Sequence, residues 1–375
     1  MVKKKLKVLQ IAFNDLGNGG VQNQIMAITK LTADSAHNDI IVWKNRTAFY
    51  DNEFLKYGKI FRCPHYEGKS YLKGKLDFFT RYFRVKKAVY KTLKENGPYD
   101  VVHSHKLFES AACLAAAHKA GVPVRIAHAH ITNNTVHKMT PVRLVIRLYN
   151  NVYRRIIRRH ATHMIGCSQA AADYVFGKGY GQTVHIGINL DRFDMTKYQP
   201  KPHNDIVLLN IGTFSIHKNQ LFAVDIFAEL KKIRENVRLV LIGRGEEYKK
   251  QVKKRIMELG IDKWVVFKPH DSYIPQEMAD ADIFILPSNF EGLPVTAIEA
   301  QSMGMKCFIS SSVTEEANCG DASYLDLSVG ARVWANHIND YINQYGTKKI
   351  KQNVDEFSEQ LMAKRILNIY CSALE

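Results

Sequence analysis

The sequence predicts an α/β chain built as two parallel-sheet domains, and three observations predict it. Residues 7–31 run from an apolar strand through a glycine-rich turn into a helix, the opening of an open α/β sheet. A stretch from Asp191 to Asp205, holding Pro200, Pro202 and mixed charges, interrupts the pattern as a linker, and the same strand–helix alternation restarts behind it. At 375 residues, each half has enough chain for its own core.

The elements follow in order. Lys7 to Phe13 (KVLQIAF) is a buried-type strand. Asn14 to Gly20 is its turn, and Val21 to Leu31 a helix with Val21, Ile25, Ile28 and Leu31 on one face. The glycines lack the spacing of a dinucleotide fingerprint and license close backbone approach, no more. Asp39–Trp43 is a strand and Leu72–Asn96 a long basic helix. Tyr99–His103 is a strand, followed by an alanine-rich helix from Ser110 to Ala120. Val124–Ala129 is a strand ending at His130. Pro141–His160 is an amphipathic helix carrying six arginines, with Val142, Val145, Ile146, Tyr149, Val152, Tyr153, Ile156 and Ile157 as its apolar set. Thr162–Cys167 is a strand, Ser168 caps a helix from Gln169 to Phe176, and Gln182–Ile188 is a short strand.

Past the linker, strands are expected at Ile206–Gly212, Val237–Gly243, Trp264–Phe267, Asp282–Leu286 and Lys306–Ser310. Helices are expected at Asn219–Ile233, Tyr248–Leu259, Ile274–Ala279, Val333–Gln344 and Glu356–Ser372. The most informative stretch is LPSNFEGLPVTAIEAQSMG, from Leu286 to Gly304. It reads as strand end, tight loop and helix, with Pro294 at the first helical position and Gly304 as the stop. A helix N-terminus suits a phosphate. Glu291 lies on the loop. Glu299 lies inside the helix among Ala297, Ile298 and Ala300, where an acid needs a partner, and ligand hydroxyls are one candidate.

Charge is unevenly divided. The net +17 resolves into +19 over residues 1–190 and −2 over residues 191–375. An anionic partner for the first half follows: an anionic membrane surface, an acidic or phosphorylated substrate, or nucleic acid. No base-reading or stacking module is visible, which disfavours nucleic acid. A basic amphipathic helix suits a membrane contact. Six scattered cysteines without a Cys-x-x-Cys pair suggest neither a disulfide framework nor a zinc ribbon, and point to reduced thiols in a cytosol. Neither a secretory segment nor an apolar run long enough to span a bilayer is seen.

Glu291 and Glu299, with seven residues between them within PSNFEGLPVTAIEAQSMG, resemble the signature of the retaining glycosyltransferases of the GT4 family, which have the GT-B fold. Gly19-Gly20-Val21, Asp100 to His105, Ile165 to Ser168, Gly187 to Phe193, and Ile211 to Phe214 with Lys218-Asn219 resemble companion motifs of that family, so the likeness covers nearly the whole chain. The second half is most similar to transferases of bacterial capsule and exopolysaccharide assembly. The resemblance implies two Rossmann-like parallel-sheet domains facing a central cleft. Residues 1–190 would form the acceptor-side domain, residues 191–355 the nucleotide-sugar domain, and a helix over about 356–375 would pack back on the first. It implies transfer, with retention, of a sugar from a UDP-sugar to a lipid-linked saccharide at the inner face of the cell membrane, with the basic N-terminal domain against the anionic surface. Neither a metal nor another cofactor is implied.

Roles follow from the same resemblance. Lys218 would neutralise the diphosphate, with Gly212 and Thr213 in its loop. Gly292 and Leu293 would offer N–H groups. Glu299 would hold the ribose hydroxyls and Glu291 those of the sugar. Gly19 and Gly20 would let backbone close on the phosphates, and His130 would hydrogen-bond the sugar near its reacting carbon. Two positions depart from the family. Thr213 stands where an arginine is usual, so Arg244 or a basic N-domain residue would substitute, and Ile186 stands where asparagine is common. Thr213 keeps open a non-catalytic GT-B partner subunit, and a nucleotide-sugar epimerase is a further alternative. His103, His105, His128, His130 and His137 invite a zinc reading. Alternate strand residues share a face without any ligand, so His103 and His128 are expected as hydrogen-bonded core residues. Asp100, Asp280 and Asp282 are expected to cap strands or turns.

Overall fold

The computed structural model describes residues 5–12, 14–63, 71–132 and 141–372. Of these, residues up to 187 and from 359 onward form one unit, and residues 188–358 the other.

In the first unit the apolar runs become β1 (Leu6–Ile11), β2 (Ala36–Val42), β3 (Ile60–Arg62), β4 (Val101–Ser104), β5 (Val124–Ala129), β6 (His163–Gly166) and β7 (Gln182–Thr183). Among the described residues they form a seven-stranded sheet of order β3-β2-β1-β4-β5-β6-β7, every pair parallel. The helices are α1 (Gly20–Leu31), α2 (Asp51–Phe54), α3 (Tyr71–Asn96), α4 (Ser110–Lys119), α5 (Pro141–His160) and α6 (Gln169–Phe176). Strands covered on both faces must be apolar nearly throughout, and β1 is buried at every position but Lys7. Residues Ser110–Ala117 of α4 are buried without exception, which the small alanine side chains permit between sheet and neighbouring helices. Ser168 Oγ accepts from Ala171 N at 3.1 Å, the expected cap of α6.

The second unit contains β8 (Ile206–Ile211), α7 (Gln220–Ile233), β9 (Val237–Ile242), α8 (Glu246–Glu258), β10 (Val265–Lys268), α9 (Ile274–Ala279), β11 (Ile283–Leu286), α10 (Val295–Ser302), β12 (Lys306–Ser310), β13 (Ala322–Leu325) and α11 (Ala331–Tyr345). Its sheet runs β10-β9-β8-β11-β12-β13, again parallel. In each sheet the strand order reverses direction beside the first strand, between β1 and β4 and between β8 and β11. Open α/β sheets bind ligands at the carboxyl ends of the strands flanking such a reversal. The last helix, α12 (Glu359–Cys371), inserts Met362, Ile366 and Tyr370 into the core made by Leu6, Val8, Ile28, Val101 and Ile126 of the first unit. Each such fully buried side chain contributes about 1.5–3 kcal/mol.

Several elements differ from the sequence reading. β2 begins at Ala36 rather than Asp39, because Ala36, His37 and Asn38 pair in register with Leu6, Lys7 and Val8. β3 and β13 are edge strands of three and four half-buried residues, too short to display a period. β7 holds only Gln182 and Thr183. The last helix starts at Glu359 because Asp355–Phe357 form a 3₁₀ turn and Ser358 bridges to Ile188. Asp100, Asp280 and Asp282 accept from the backbone N–H groups of Lys7, Lys201 and Val207, the capping role expected of them.

The arginine-rich α5 departs most. Tyr153 and Ile157 are buried, but Val145, Ile146 and Val152 of the expected inward set are exposed, as are Leu144 and Leu148. Arg154 and Arg158 are not surface charges for a partner. Their guanidinium groups donate to the carbonyls of Tyr174, Val175 and Phe176, closing the C-terminal end of α6.

Candidate active site

In the second unit the site grows from two loops at the β8/β11 reversal. After β8 comes Gly212–Asn219. The buried Gln220 fixes this loop, its Oε1 accepting from Ser215 N at 3.3 Å and its Nε2 donating to Thr213 O at 3.2 Å. Glycine is required at two neighbouring points. A Cβ on Gly243 would lie 1.9 Å from Gly212 O, and Gly245 has φ +115. Backbone therefore packs on backbone, and Phe214 N donates to Arg244 O at 2.6 Å. This places Arg244 beside Thr213. Both are exposed, and the Arg244 guanidinium has no ion pair among the described residues.

After β11 comes Pro287–Pro294. Asn289 N donates to His217 O and Asn289 Nδ2 to Ile216 O, both at 2.7 Å, and Phe290 stacks on His217 with centroids 5.5 Å apart. The two loops are thereby locked together. Lys218 Nζ reaches Glu291 Oε1 at 2.6 Å, and Ser288 Oγ donates to the same oxygen at 2.7 Å. The Lys218 stem lies over Gly212, where a Cβ would come within 3.3 Å of its Cδ and Cε. The side chains of Lys218 and Glu291 are only 15% and 10% exposed, so the pair is held in a weakly solvated setting. His217 is held below the usual imidazole range by burial, partly offset by the nearby Glu291 carboxylate.

Pro294 proves to be the N-cap of α10, with helical residues starting at Val295. Its ψ of 78° lies outside the helical region, which moves the start one residue on. Gly304, at φ +73, ends the element as expected. Gly292 and Leu293 are buried in the turn before it. Just inside, Thr296 Oγ1 is buried without a hydrogen-bond partner among the described residues. Glu299, one turn further, likewise has no hydrogen bond or ion pair to its carboxyl among them. Solvent touches part of Glu299, yet burial of the carboxyl dominates and raises its pKa to about 7, while Arg192 and Lys218 pull the other way. Sequence spacing does not mark Arg192, Ser288, Gln220 and Thr296 as site residues. Only their places in the fold, not their spacing, bring them here.

In the first unit, Gly19 is the N-cap of α1 and Gly20 its first residue, and a Cβ on Gly20 would meet nothing within 4 Å. Close approach at Gly20 is therefore possible but not enforced by the protein itself. His130 stands at the end of β5, 6% exposed. It joins a stack of imidazoles with His103, His105 and His128, all buried. His103 Nδ1 meets Tyr370 Oη at 2.8 Å, and His103 Nε2 meets His128 Nδ1 at 3.1 Å. His105 Nδ1 meets His130 Nε2 at 2.8 Å, and His105 Nε2 meets Gln10 Oε1 at 3.2 Å. His103, His105 and His128 could converge on a metal, but both ring nitrogens of His103 and of His105 already serve protein hydrogen bonds. The arrangement is that of a hydrogen-bonded network rather than a free ligand set. His137 lies outside the described residues.

Comparison with known proteins places this geometry. The family model described as glycosyl transferases group 1 matches residues 191–318, and that described as a glycosyl transferase 4-like domain matches residues 56–186. EpsF of Bacillus subtilis (strain 168), a protein ranked among the glycosyltransferases, is 28% identical over 355 residues, covering 90% of this chain and 88% of EpsF. CapH of Staphylococcus aureus, a capsular polysaccharide biosynthesis glycosyltransferase, is 26% identical, covering 75% of this chain and 79% of its own. The UDP-Gal:α-D-GlcNAc-diphosphoundecaprenol α-1,3-galactosyltransferase of Escherichia coli is 27% identical, covering 68% and 67%. Among solved structures, Anabaena HepE in complex with UDP and glucose superposes with a TM-score of 0.74 at 17% identity, covering 98% of this chain and all of HepE. Strands β3–β7 and β8–β12 fall within the two matched ranges, and EpsF, CapH and the Escherichia coli galactosyltransferase each align over two thirds or more of the chain. The chain belongs to the group 1, GT4-like glycosyltransferases, with the GT-B fold.

Proposed function

We propose that the chain transfers a sugar, with retention, from a UDP-sugar to a lipid-linked saccharide in capsule or exopolysaccharide assembly. One observation carries the donor half of this reading: Lys218 and Glu291 paired at 2.6 Å at the β8/β11 reversal, beside Glu299, whose carboxyl has no partner among the described residues. The donor diphosphate takes Glu291's place as the counter-ion of Lys218, with Arg244 replacing the arginine missing at Thr213. The released Glu291 then accepts from sugar hydroxyls, and Glu299 from the ribose. Thr296 and the start of α10 offer a hydroxyl and partial positive charge.

In the transfer, the bond from the anomeric carbon to the diphosphate oxygen breaks, and its electron pair leaves with the diphosphate. The acceptor hydroxyl forms the new bond on the same face, and its proton passes to the departing phosphate oxygen. Lys218, Arg244 and the helix dipole stabilise the charge that develops there, so the scheme calls on no metal. UDP appears with HepE and in the donor of the Escherichia coli relative, whose acceptor is a diphosphoundecaprenol saccharide.

The donor test is a thermal-shift screen of nucleotide-sugars. A ligand at one hundred times its Kd stabilises the folded protein by about 2.7 kcal/mol. A shift with UDP-sugars and none with other nucleotide-sugars is expected; the reverse pattern would sink the donor reading, and an inverted anomer in the product would sink retention.

No helix among the described residues is long and apolar enough to cross a membrane. The reading therefore places the acceptor contact at the membrane surface, through α5. At 100° per residue, Leu144, Leu148, Val152, Arg155 and Arg159 fall on one stripe of that helix, and all five are exposed. Apolar residues beside arginines on one outward face suit an interfacial helix against anionic lipid. Each basic residue near such a surface contributes about 1 kcal/mol. Arg155→Ala with Arg159→Ala should therefore weaken co-sedimentation with phosphatidylglycerol vesicles roughly thirtyfold. Indifference of the unmodified protein to such vesicles at low salt would rule the contact out.

A further inference from the structure

The buried polar groups behind His130 form a chain whose proton directions can be worked out from one end to the other. Thr32 Oγ1 lies 2.7 Å from Ile28 O. A backbone carbonyl only accepts, so the one hydroxyl proton of Thr32 is spent there. Asn38 Nδ2, at 3.3 Å, must then donate to Thr32 Oγ1. That orients the Asn38 amide and leaves Oδ1 to accept from Gln10 Nε2 at 3.1 Å. The Gln10 amide is fixed in turn, and a second bond from Nε2 to Thr29 Oγ1 at 2.9 Å holds it. Gln10 Oε1 can only accept, so His105 carries its proton on Nε2. Burial keeps His130 neutral, with its pKa lowered to about 3, and holds His105 well below the usual range, helped by the neighbouring imidazoles. A neutral His105 has a bare Nδ1, which must accept from His130 Nε2 at 2.8 Å. His130 is left with a lone pair on Nδ1, buried and without a partner among the described residues.

We infer that Gln10 and His105 are positioning residues that hold His130 in a single tautomer, presenting Nδ1 as an acceptor for a hydroxyl of the donor sugar. This rests on the function proposed above, with His130 in the sugar-side role that the family resemblance implies for it. The opposite polarity, with Gln10 reversed, would give His130 an Nδ1 proton and make it a donor. The Thr32–Ile28 contact, at the far end of the chain, is what selects between the two. Gln10 lies in the middle of a buried strand, where an unsatisfied amide is costly. Its amide oxygen and nitrogen are both used in holding the direction of the chain.

The experiment is two-bond ¹H–¹⁵N correlation of the histidine rings in the full chain, the His130 signal assigned by its loss in His130→Ala. The expected spectrum shows His130 protonated on Nε2 and bare on Nδ1, without titration between about pH 5 and 8. Protonation on Nδ1 would overturn the inference. Thr32→Ser should keep the tautomer, whereas Thr32→Val and Gln10→Met should each give a mixture of tautomers. An unchanged single tautomer in both of the latter variants overturns the relay. In transfer assays Gln10→Met should lower kcat about tenfold or more while donor KM moves less than about threefold, the pattern for an interaction made in the transition state. A tautomer mixture with undiminished kcat removes His130 from the sugar but leaves the donor assignment at Lys218 and Glu299 standing, since nucleotide binding by thermal shift reports on that separately.

Discussion

Lys218→Ala is expected to lower kcat by about 10²–10³-fold, the range seen when one preorganised stabiliser of a developing anion is removed. Lys218 is the cation best placed for that task in the second unit. Its stem is confined over Gly212, and its ammonium is already held by Glu291 in a weakly solvated pocket. The same substitution removes the Lys218 ion pair from Glu291, which retains the bond from Ser288. The apoprotein should therefore also lose stability, by roughly 1–3 kcal/mol. Lys218→Arg separates charge from shape. It keeps the positive charge but must fit a wider, planar fork above Gly212, so an intermediate rate is expected. Glu291→Gln keeps the acceptor for Ser288 but removes the ion pair, and should impair turnover more than nucleotide binding. The measurement is kcat at saturating donor, alongside UDP affinity. Full activity in Lys218→Ala would end its assignment to the diphosphate.

The second large effect is a split between stability and function at Glu299. A carboxyl raised to about 7 in the folded chain resists ionisation there. Below the ordinary carboxyl range it is protonated whether the chain is folded or not, and costs nothing. As pH rises toward 7 the unfolded chain loses this proton while the folded one retains it, so stability falls across that window and is constant above it. The penalty at pH 8 is on the order of 3 kcal/mol. Glu299→Gln removes it, so the ligand-free variant should unfold at a higher temperature than the parent at pH 8 and at nearly the same temperature near pH 4. Nucleotide affinity should move the opposite way. A carboxylate accepting from two ribose hydroxyls is worth about 1.5–3 kcal/mol more than none. A weaker, neutral amide should loosen UDP by about tenfold or more. If Glu299→Gln is no more stable at pH 8, the acid is not held in the apolar setting described. If UDP binds it as tightly as the parent, Glu299 does not hold the ribose.

Much of the candidate site in the second unit was legible as text, because its parts are local. A buried strand, a proline break and a glycine stop locate the Pro287–Gly304 loop and helix to within a residue. The single miss, Pro294 as cap rather than first helical residue, turns on one ψ angle. Glu299 could be singled out for the same reason: a charge between alanines and isoleucine needs explanation before any fold is known. The edge strands Ile60–Arg62 and Ala322–Leu325 were not legible, since three or four half-exposed residues carry no usable period. Nor was the division of labour along α5. Spacing marks an amphipathic helix, but whether Val152 or Ile157 turns inward depends on what lies next to it.

By itself, then, the sequence determined the two parallel sheets, the glycine loops, the concentration of positive charge in residues 1–190 and the two acids ahead of and within α10. Those properties are local or additive, and neighbouring residues suffice to set them. The tertiary structure alone decided who meets whom. Lys218 and Glu291, 73 positions apart, become an ion pair because β8 and β11 are adjacent strands. Arg244 comes beside Thr213 because Gly243 and Gly212 let two backbones touch. The inferred tautomer of His130 comes from Thr32 at a helix end, through Asn38, Gln10 and His105, across four neighbouring strands. Hydrogen bonds and ion pairs act over a few ångströms, so sequence distance says nothing about them until the sheet order is set.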